Sequence, residues 1–205
     1  MVAKFRNTGQ SCIAANRIYV QRGIYDAFVR RLVEKAGALK VGDGLEPEVQ
    51  VGAMIDENAV KKALEHIADA VQRGARVLCG GKRLDRPGYF LEATVLADVP
   101  KESLCLKEET FAPVAAVLPF DTEAEAIEAA NGSPFGLAAY AFTRDLSRAF
   151  RLMEQIEAGM LAINDGLPTT TNAPFGGVKQ SGWGRELGSE GLEAFLETKH
   201  VSIAI

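Results

Sequence analysis

Cys12 stands in the run Phe5-Arg6-Asn7-Thr8-Gly9-Gln10-Ser11-Cys12, behind a glycine and small polar residues, with Asn16 and Arg17 just beyond. The run reads as a turn leading into a short helical segment. Backbone N–H groups at a helix start favour the thiolate, which is the nucleophilic form of cysteine. The opposing reading is a buried structural thiol, because free cysteine packs as a small hydrophobe, although such residues more usually sit inside an apolar run. Metal chemistry is poorly served: there is no Cys-x-x-Cys, and His66 and His200 are far apart in the chain. His66 falls on the polar side of a helix and reads as a solvated surface residue. A cysteine–histidine hydrolase would need one of these two histidines beside Cys12. The stretch Gly182-Trp183-Gly184-Arg185-Glu186-Leu187-Gly188 lacks Gly-x-Gly-x-x-Gly spacing and a preceding strand, so its glycines read as turn residues.

Strands and helices must alternate to hold these groups. Strands are expected at Arg17 to Gln21, Arg76 to Cys79, within Phe90 to Val99, and at Val114 to Phe120, a near-continuous apolar run suited to burial on both faces. Further strands are expected at Leu137 to Phe142, Met160 to Ile163 and His200 to Ile205. Between them run amphipathic helices: one through Tyr25, Phe28, Val29 and Leu32, and one through Val60, Ala63, Leu64, Ile67, Ala68 and Val71, which Gly74 ends. A third helix is capped by Asp121 or Thr122, a fourth by Asp145, and a last one spans about Ser189 to Glu197. Asn164 to Gly188 is a long loop rich in Gly, Pro, Ser and Thr, of the kind that carries function or is disordered. The expected fold is α/β, with three layers and a mostly parallel sheet covered by helices on both faces.

With 205 residues, 47% hydrophobic and 24% charged, the composition is that of an ordinary globular protein. A net charge of −4 without a basic cluster argues against nucleic acid, and no apolar run is long enough to span a membrane. Three cysteines without a paired framework suit a reducing cytoplasm.

Three motifs, taken in order, resemble the NAD(P)-dependent aldehyde dehydrogenases. Phe5 to Cys12 resembles the nucleophile segment of that family. Lys107-Glu108-Glu109-Thr110-Phe111-Ala112-Pro113 resembles its Glu-Glu-x-Phe-Gly-Pro motif. Pro174-Phe175-Gly176-Gly177-Val178-Lys179-Gln180-Ser181-Gly182 resembles its Pro-Phe-Gly-Gly signature, which Gly184 to Gly188 continues. The resemblance covers essentially the whole chain and implies a catalytic domain over residues 1–205. It implies that Cys12 attacks an aldehyde to give a thiohemiacetal, that hydride passes to the nicotinamide, and that water hydrolyses the thioester. By the same resemblance the Cys12 backbone N–H holds part of the oxyanion, Glu109 takes the nicotinamide-ribose hydroxyls, Phe111 lies by the nicotinamide and Phe175 lines the aldehyde tunnel. Taken without it, Glu109 is a charge in water, and Phe111 and Phe175 are core.

Within the family the likeness is to succinate-semialdehyde dehydrogenases and their glutarate-semialdehyde relatives. Arg6 matches the arginine that binds the distal carboxylate there, a role suited to a guanidinium that grips bidentately. Thr169 or Thr170 stands where those enzymes offer a serine hydroxyl to the same carboxylate. Ala14 replaces a second cysteine found in some relatives, so no disulfide switch is expected. Complete members carry an amino-terminal cofactor domain, which supplies the dinucleotide site, an oxyanion-hole amide, a second arginine and the glutamate that activates water. None has a counterpart in these residues. The expectation is therefore a catalytic domain that is inactive alone, using NAD or NADP and no metal, on a small-molecule aldehyde. It assembles as a homo-oligomer through the C-terminal strand, away from nucleic acid and membrane. Two alternatives stand beside it: a non-catalytic fragment that keeps only folding and assembly surfaces, and a cofactor-free thiol hydrolase.

Overall fold

The computed structural model describes residues 1–205, which form two compact units, Met1–Ala130 and Asn131–Ile205. In the first unit the order is α1 (Val2–Phe5), β1 (Arg17–Gln21), α2 (Tyr25–Gly37), α3 (Glu57–Gln72), β2 (Arg76–Cys79), β3 (Thr94–Ala97), α4 (Leu104–Lys107), β4 (Val114–Phe120) and α5 (Glu123–Asn131). Its four strands form one sheet in the order β1-β4-β3-β2. β4 is parallel to β1, with Arg17 opposite Ala116, and to β3, with Thr94 opposite Val114; β2 is an antiparallel edge on β3.

Alternation along β4 divides the core in two. Val114, Ala116 and Leu118 join Val60, Ala63, Ile67 and Ala70 of α3 on one face. Ala115 and Val117 join Tyr25, Val29, Leu32 and Ala36 of α2 on the other. A strand covered twice needs apolar residues at every position, which is why its sequence shows no alternation. Fully buried side chains such as Leu96 and Val95 each contribute roughly 1.5–3 kcal/mol. Helix ends are closed by side chains, near in sequence or distant. Asp56 accepts from the Ala59 N–H at 2.8 Å at the start of α3, and Arg17 donates to the Ala129 and Ala130 carbonyls at 2.8 and 3.0 Å at the end of α5.

The second unit contains β5 (Phe135–Gly136), β6 (Ala138–Ala141), α6 (Leu146–Gln155), β7 (Met160–Ile163), β8 (Val178–Lys179) and α7 (Gly188–Glu193). β6 pairs with β7 in parallel and β5 with β8 antiparallel. Asp145 caps α6 as expected, accepting from the Arg148 N–H at 3.1 Å. The expected strand over His200–Ile205 is not formed. A strand requires a ladder partner, and this apolar stretch finds none within the chain: Val201, Ile203 and Ile205 are all exposed.

Candidate active site

The segment leading to Cys12 is shaped by three consecutive left-handed residues, Asn7 (φ 52°), Thr8 (φ 60°) and Gly9 (φ 71°). A β-branched residue in that region is a strained outlier, and such strain persists only where the surroundings impose it. Here Thr8 is buried, and a Cβ on Gly9 would lie 2.2 Å from the Ala112 carbonyl oxygen. The absence of a side chain at Gly9 is thus what lets the Cys12 segment lie against Ala112–Pro113. Further ties come from Gln10, whose amide donates to the Ala53 carbonyl at 3.2 Å and accepts from the Ile55 N–H at 2.8 Å.

Cys12 follows in a turn closed by Ala14 N–H to Ser11 O at 2.8 Å, and it is exposed. The helical segment expected after it is not there. The chain turns and enters β1 instead, because the Ala15 N–H is taken by the Ala3 carbonyl at 2.8 Å. The buried structural reading of Cys12 falls with its exposure. Arg6 is exposed on the same loop, with a long 3.5 Å contact from Nη2 to Ser11 Oγ and no carboxylate of this chain against it.

Residues 105–113 are held against this loop by Asn16, a residue to which no role was assigned from the sequence. Its amide donates to the Cys105 and Glu108 carbonyls at 2.9 and 3.0 Å, and its oxygen accepts from the Thr110 N–H at 3.1 Å. Thr110 and Ala112 are buried, so Glu109 and Phe111 face solvent. Phe111 is turned outward by a left-handed backbone, φ 51°, unusual for a bulky side chain. Neither Glu109 nor Phe111 is a core residue. His66 is a correction: it is only 2% exposed, with Nδ1 3.1 Å from Thr110 Oγ1 and Nε2 3.4 Å from Glu108 Oε2. Ala63 and Ala70, three before and four after it, are fully buried on the same face. Lys4, also buried, has its ammonium pulled down to about 8 by desolvation, opposed by Cys105 and Glu109.

In the second unit, Thr170 Oγ1 donates to Asn172 Oδ1 at 2.6 Å, whereas the exposed hydroxyl of Thr169 has no partner in the chain. Of the two, Thr169 is the free donor. Phe175 is half-buried and fixed through its backbone, exchanging two 2.7 Å bonds with Glu186. Arg185 donates to the Gly177 and Gly184 carbonyls at 2.9 and 2.6 Å, closing the Gly-rich signature on itself. Gly182, Gly184 and Gly188 all have positive φ, as turn glycines should.

The three free thiols have different surroundings. Cys105 is 1% exposed, and burial, then Asp69, push its thiol up to about 11; burial also raises half-buried Cys79. At pH 8 a thiol with that pKa is thiolate in about one molecule in a thousand. Iodoacetamide is therefore expected to modify Cys12 first, at least about a hundredfold faster than Cys105, with Cys79 between them. Peptide mass mapping over time checks the order, and equal slow labelling would support an inert fragment instead.

An exposed thiol thus stands on a loop that lies against the segment carrying the outward-facing Glu109 and Phe111. The chain belongs to the aldehyde dehydrogenase family, whose profile matches residues 1–201. It is 50% identical over 205 residues to the NADP(+) succinate-semialdehyde dehydrogenase of Escherichia coli strain K12, covering 100% of this chain and 42% of that protein. It is 51% identical over 203 residues to a glutarate-semialdehyde dehydrogenase of Pseudomonas aeruginosa, covering 99% of this chain and 42% of that one. The crystal structure of an aldehyde dehydrogenase from Brucella melitensis biovar abortus 2308 superposes with a TM-score of 0.94 at 53% identity, over 97% of this chain and 41% of that one. The chain thus spans about two fifths of the length of its relatives.

Proposed function

We propose that these residues are the catalytic portion of an NAD(P)-dependent dehydrogenase for an aldehyde bearing a distal carboxylate, with succinate semialdehyde the favoured substrate. The carrying observation is a guanidinium without an acidic partner, Arg6, on the same short loop as an exposed thiol, Cys12. Cys12 Sγ adds to the aldehyde carbon while the carbonyl oxygen takes up the negative charge. The Cys12 backbone N–H, which no carbonyl of the chain accepts, donates to that oxygen. Arg6 pairs with the distal carboxylate. Bound nicotinamide dinucleotide supplies hydride-accepting chemistry. Its fit is supported by Glu109, a solvent-facing carboxylate with two acceptor oxygens for ribose hydroxyls, and by Phe111 beside it. Water hydrolyses the acyl group from Cys12, giving the acid and the free thiol.

Residues 1–205 carry no dinucleotide fingerprint, so turnover calls for a cofactor domain supplied beyond them, and the 205 residues alone are inactive. Assembly runs through the exposed apolar tail Val201–Ile205, and the three free thiols suit the cytoplasm. No helix is long and apolar enough to cross a membrane.

The test joins this chain to the amino-terminal part of the Escherichia coli relative. In that hybrid, Arg6→Ala is expected to raise the KM for succinate semialdehyde about 10- to 100-fold, the loss of a charge-assisted pair, and to leave the KM for butanal unchanged. Equal effects on both aldehydes would remove the carboxylate reading.

A further inference from the structure

His66 reaches the residue on each side of Glu109. Its ring on α3 faces the Glu108 carboxylate with Nε2 and the Thr110 hydroxyl with Nδ1, at 3.4 and 3.1 Å. A carboxylate can only accept, so Nε2 carries the hydrogen. In the neutral ring Nδ1 is then a lone pair, and the Thr110 hydroxyl donates to it. Burial first, and Lys62 second, hold the imidazole below its ordinary range, against the opposing pull of Glu108 and Asp69. Thr110 is consequently fixed twice, by Asn16 at its N–H and by His66 at its hydroxyl. The buried anchor between two outward side chains, Glu109 and Phe111, cannot rotate without losing both.

We propose that His66 is a positioning residue for Glu109: by holding Thr110 and Glu108 it sets where the Glu109 carboxylate stands for the dinucleotide ribose. The inference rests on the reading of Glu109 given above. His66 itself contacts neither substrate nor cofactor.

The test uses three variants chosen by reach. His66→Asn places an amide near the Nδ1 position and keeps a partner for Thr110. His66→Gln places it near Nε2 and leaves the Thr110 hydroxyl unpaired. His66→Leu removes both. In the hybrid enzyme, His66→Gln and His66→Leu are expected to raise the dinucleotide KM about tenfold with kcat little changed, and His66→Asn to restore most of it. In the 205-residue chain without dinucleotide, amide deuterium exchange across residues 108–111 is expected to rise in His66→Gln and His66→Leu and to return to the parent rate in His66→Asn. Iodoacetamide labelling of Cys12 should stay at the parent rate in all three. If His66→Leu does not fold, His66→Gln against His66→Asn carries the same comparison.

A dinucleotide KM unmoved in His66→Gln, while Glu109→Gln does raise it, overturns the proposal and leaves the ribose role of Glu109 standing. A KM unmoved in Glu109→Gln overturns that role and the proposal with it. A fall in kcat and in Cys12 labelling together, without rescue by Asn, would mean a general structural role and also overturns it.

Discussion

Cys12→Ala is expected to leave the fold intact and to abolish aldehyde oxidation. The side chain is exposed in a turn, and removing one sulfur there changes stability by no more than about 0.5 kcal/mol. The chemistry has no second route, because the other two thiols are half-buried and buried, with raised pKa values. Loss of a covalent nucleophile lowers kcat by about 10⁴-fold or more. The measurement belongs in the hybrid enzyme, since the 205 residues alone are expected to give no sustained NAD(P)H with succinate semialdehyde. Cys12→Ser should be nearly as inactive, because an unactivated hydroxyl is a far weaker nucleophile than a thiolate. Turnover in Cys12→Ala within tenfold of the parent, at an unchanged melting temperature, would show that the thiol is not the nucleophile. Ester cleavage without cofactor, lost in Cys12→Ser, would favour the hydrolase reading.

What made these elements legible was burial on a large scale. Val114 to Phe120 had to be a central strand because both of its faces are covered, and the structure sends alternate residues to α2 and α3. Asp145 was legible as a cap because capping is local, and of the two caps left open for α5, Asp121 or Thr122, it is Thr122 Oγ1 that accepts from the Glu125 N–H at 3.2 Å. His66 was not, for a reason visible on the helix. Of the expected stripe Val60, Ala63, Leu64, Ile67, Ala68 and Val71, the first, second and fourth are buried, but Ala68 and Val71 are exposed and the buried face takes in His66 and Ala70 instead. Alanines mark a face weakly, and a histidine between them reads as polar until its partners on the segment after α4 are known.

The same limit explains the site. Motif resemblance pointed to Cys12, Glu109 and Phe111, but the groups that hold them are tertiary. Asn16 bonds to residues 89 to 94 positions away, and no local pattern encodes that. The helix start expected at Cys12 failed similarly. Ala3 captures the Ala15 N–H, and the left-handed bend, which Asn7 and Gly9 tolerate, extends through a buried β-branched Thr8 that would not adopt it alone.

The packing of Gly9 on Ala112 gives the largest expected effect on stability, in Gly9→Ala. The added methyl meets three backbone atoms, Ala112 O at 2.2 Å, Ala112 C at 2.6 Å and Pro113 N at 3.0 Å, none of which can swing aside as a side chain could. The residue would also hold φ at +71°, which is strained for alanine by roughly 1 kcal/mol. Overpacking adds about 1–3 kcal/mol. A loss of about 3 kcal/mol lowers the melting temperature of a chain this size by roughly 6–12 °C. Gly37→Ala is the control: it sits at the last position of α2, a methyl there would have nothing within 4 Å, and it should be neutral or slightly stabilising. The two motifs can relieve the clash only by separating, so Gly9→Ala should also raise deuterium exchange at Thr8–Cys12 and at Phe111–Val114 together. A melting temperature within about 2 °C of the parent, less than a 1 kcal/mol loss would give, or exchange rising on one segment alone, would mean that Gly9 is not what joins the nucleophile loop to the segment carrying Glu109.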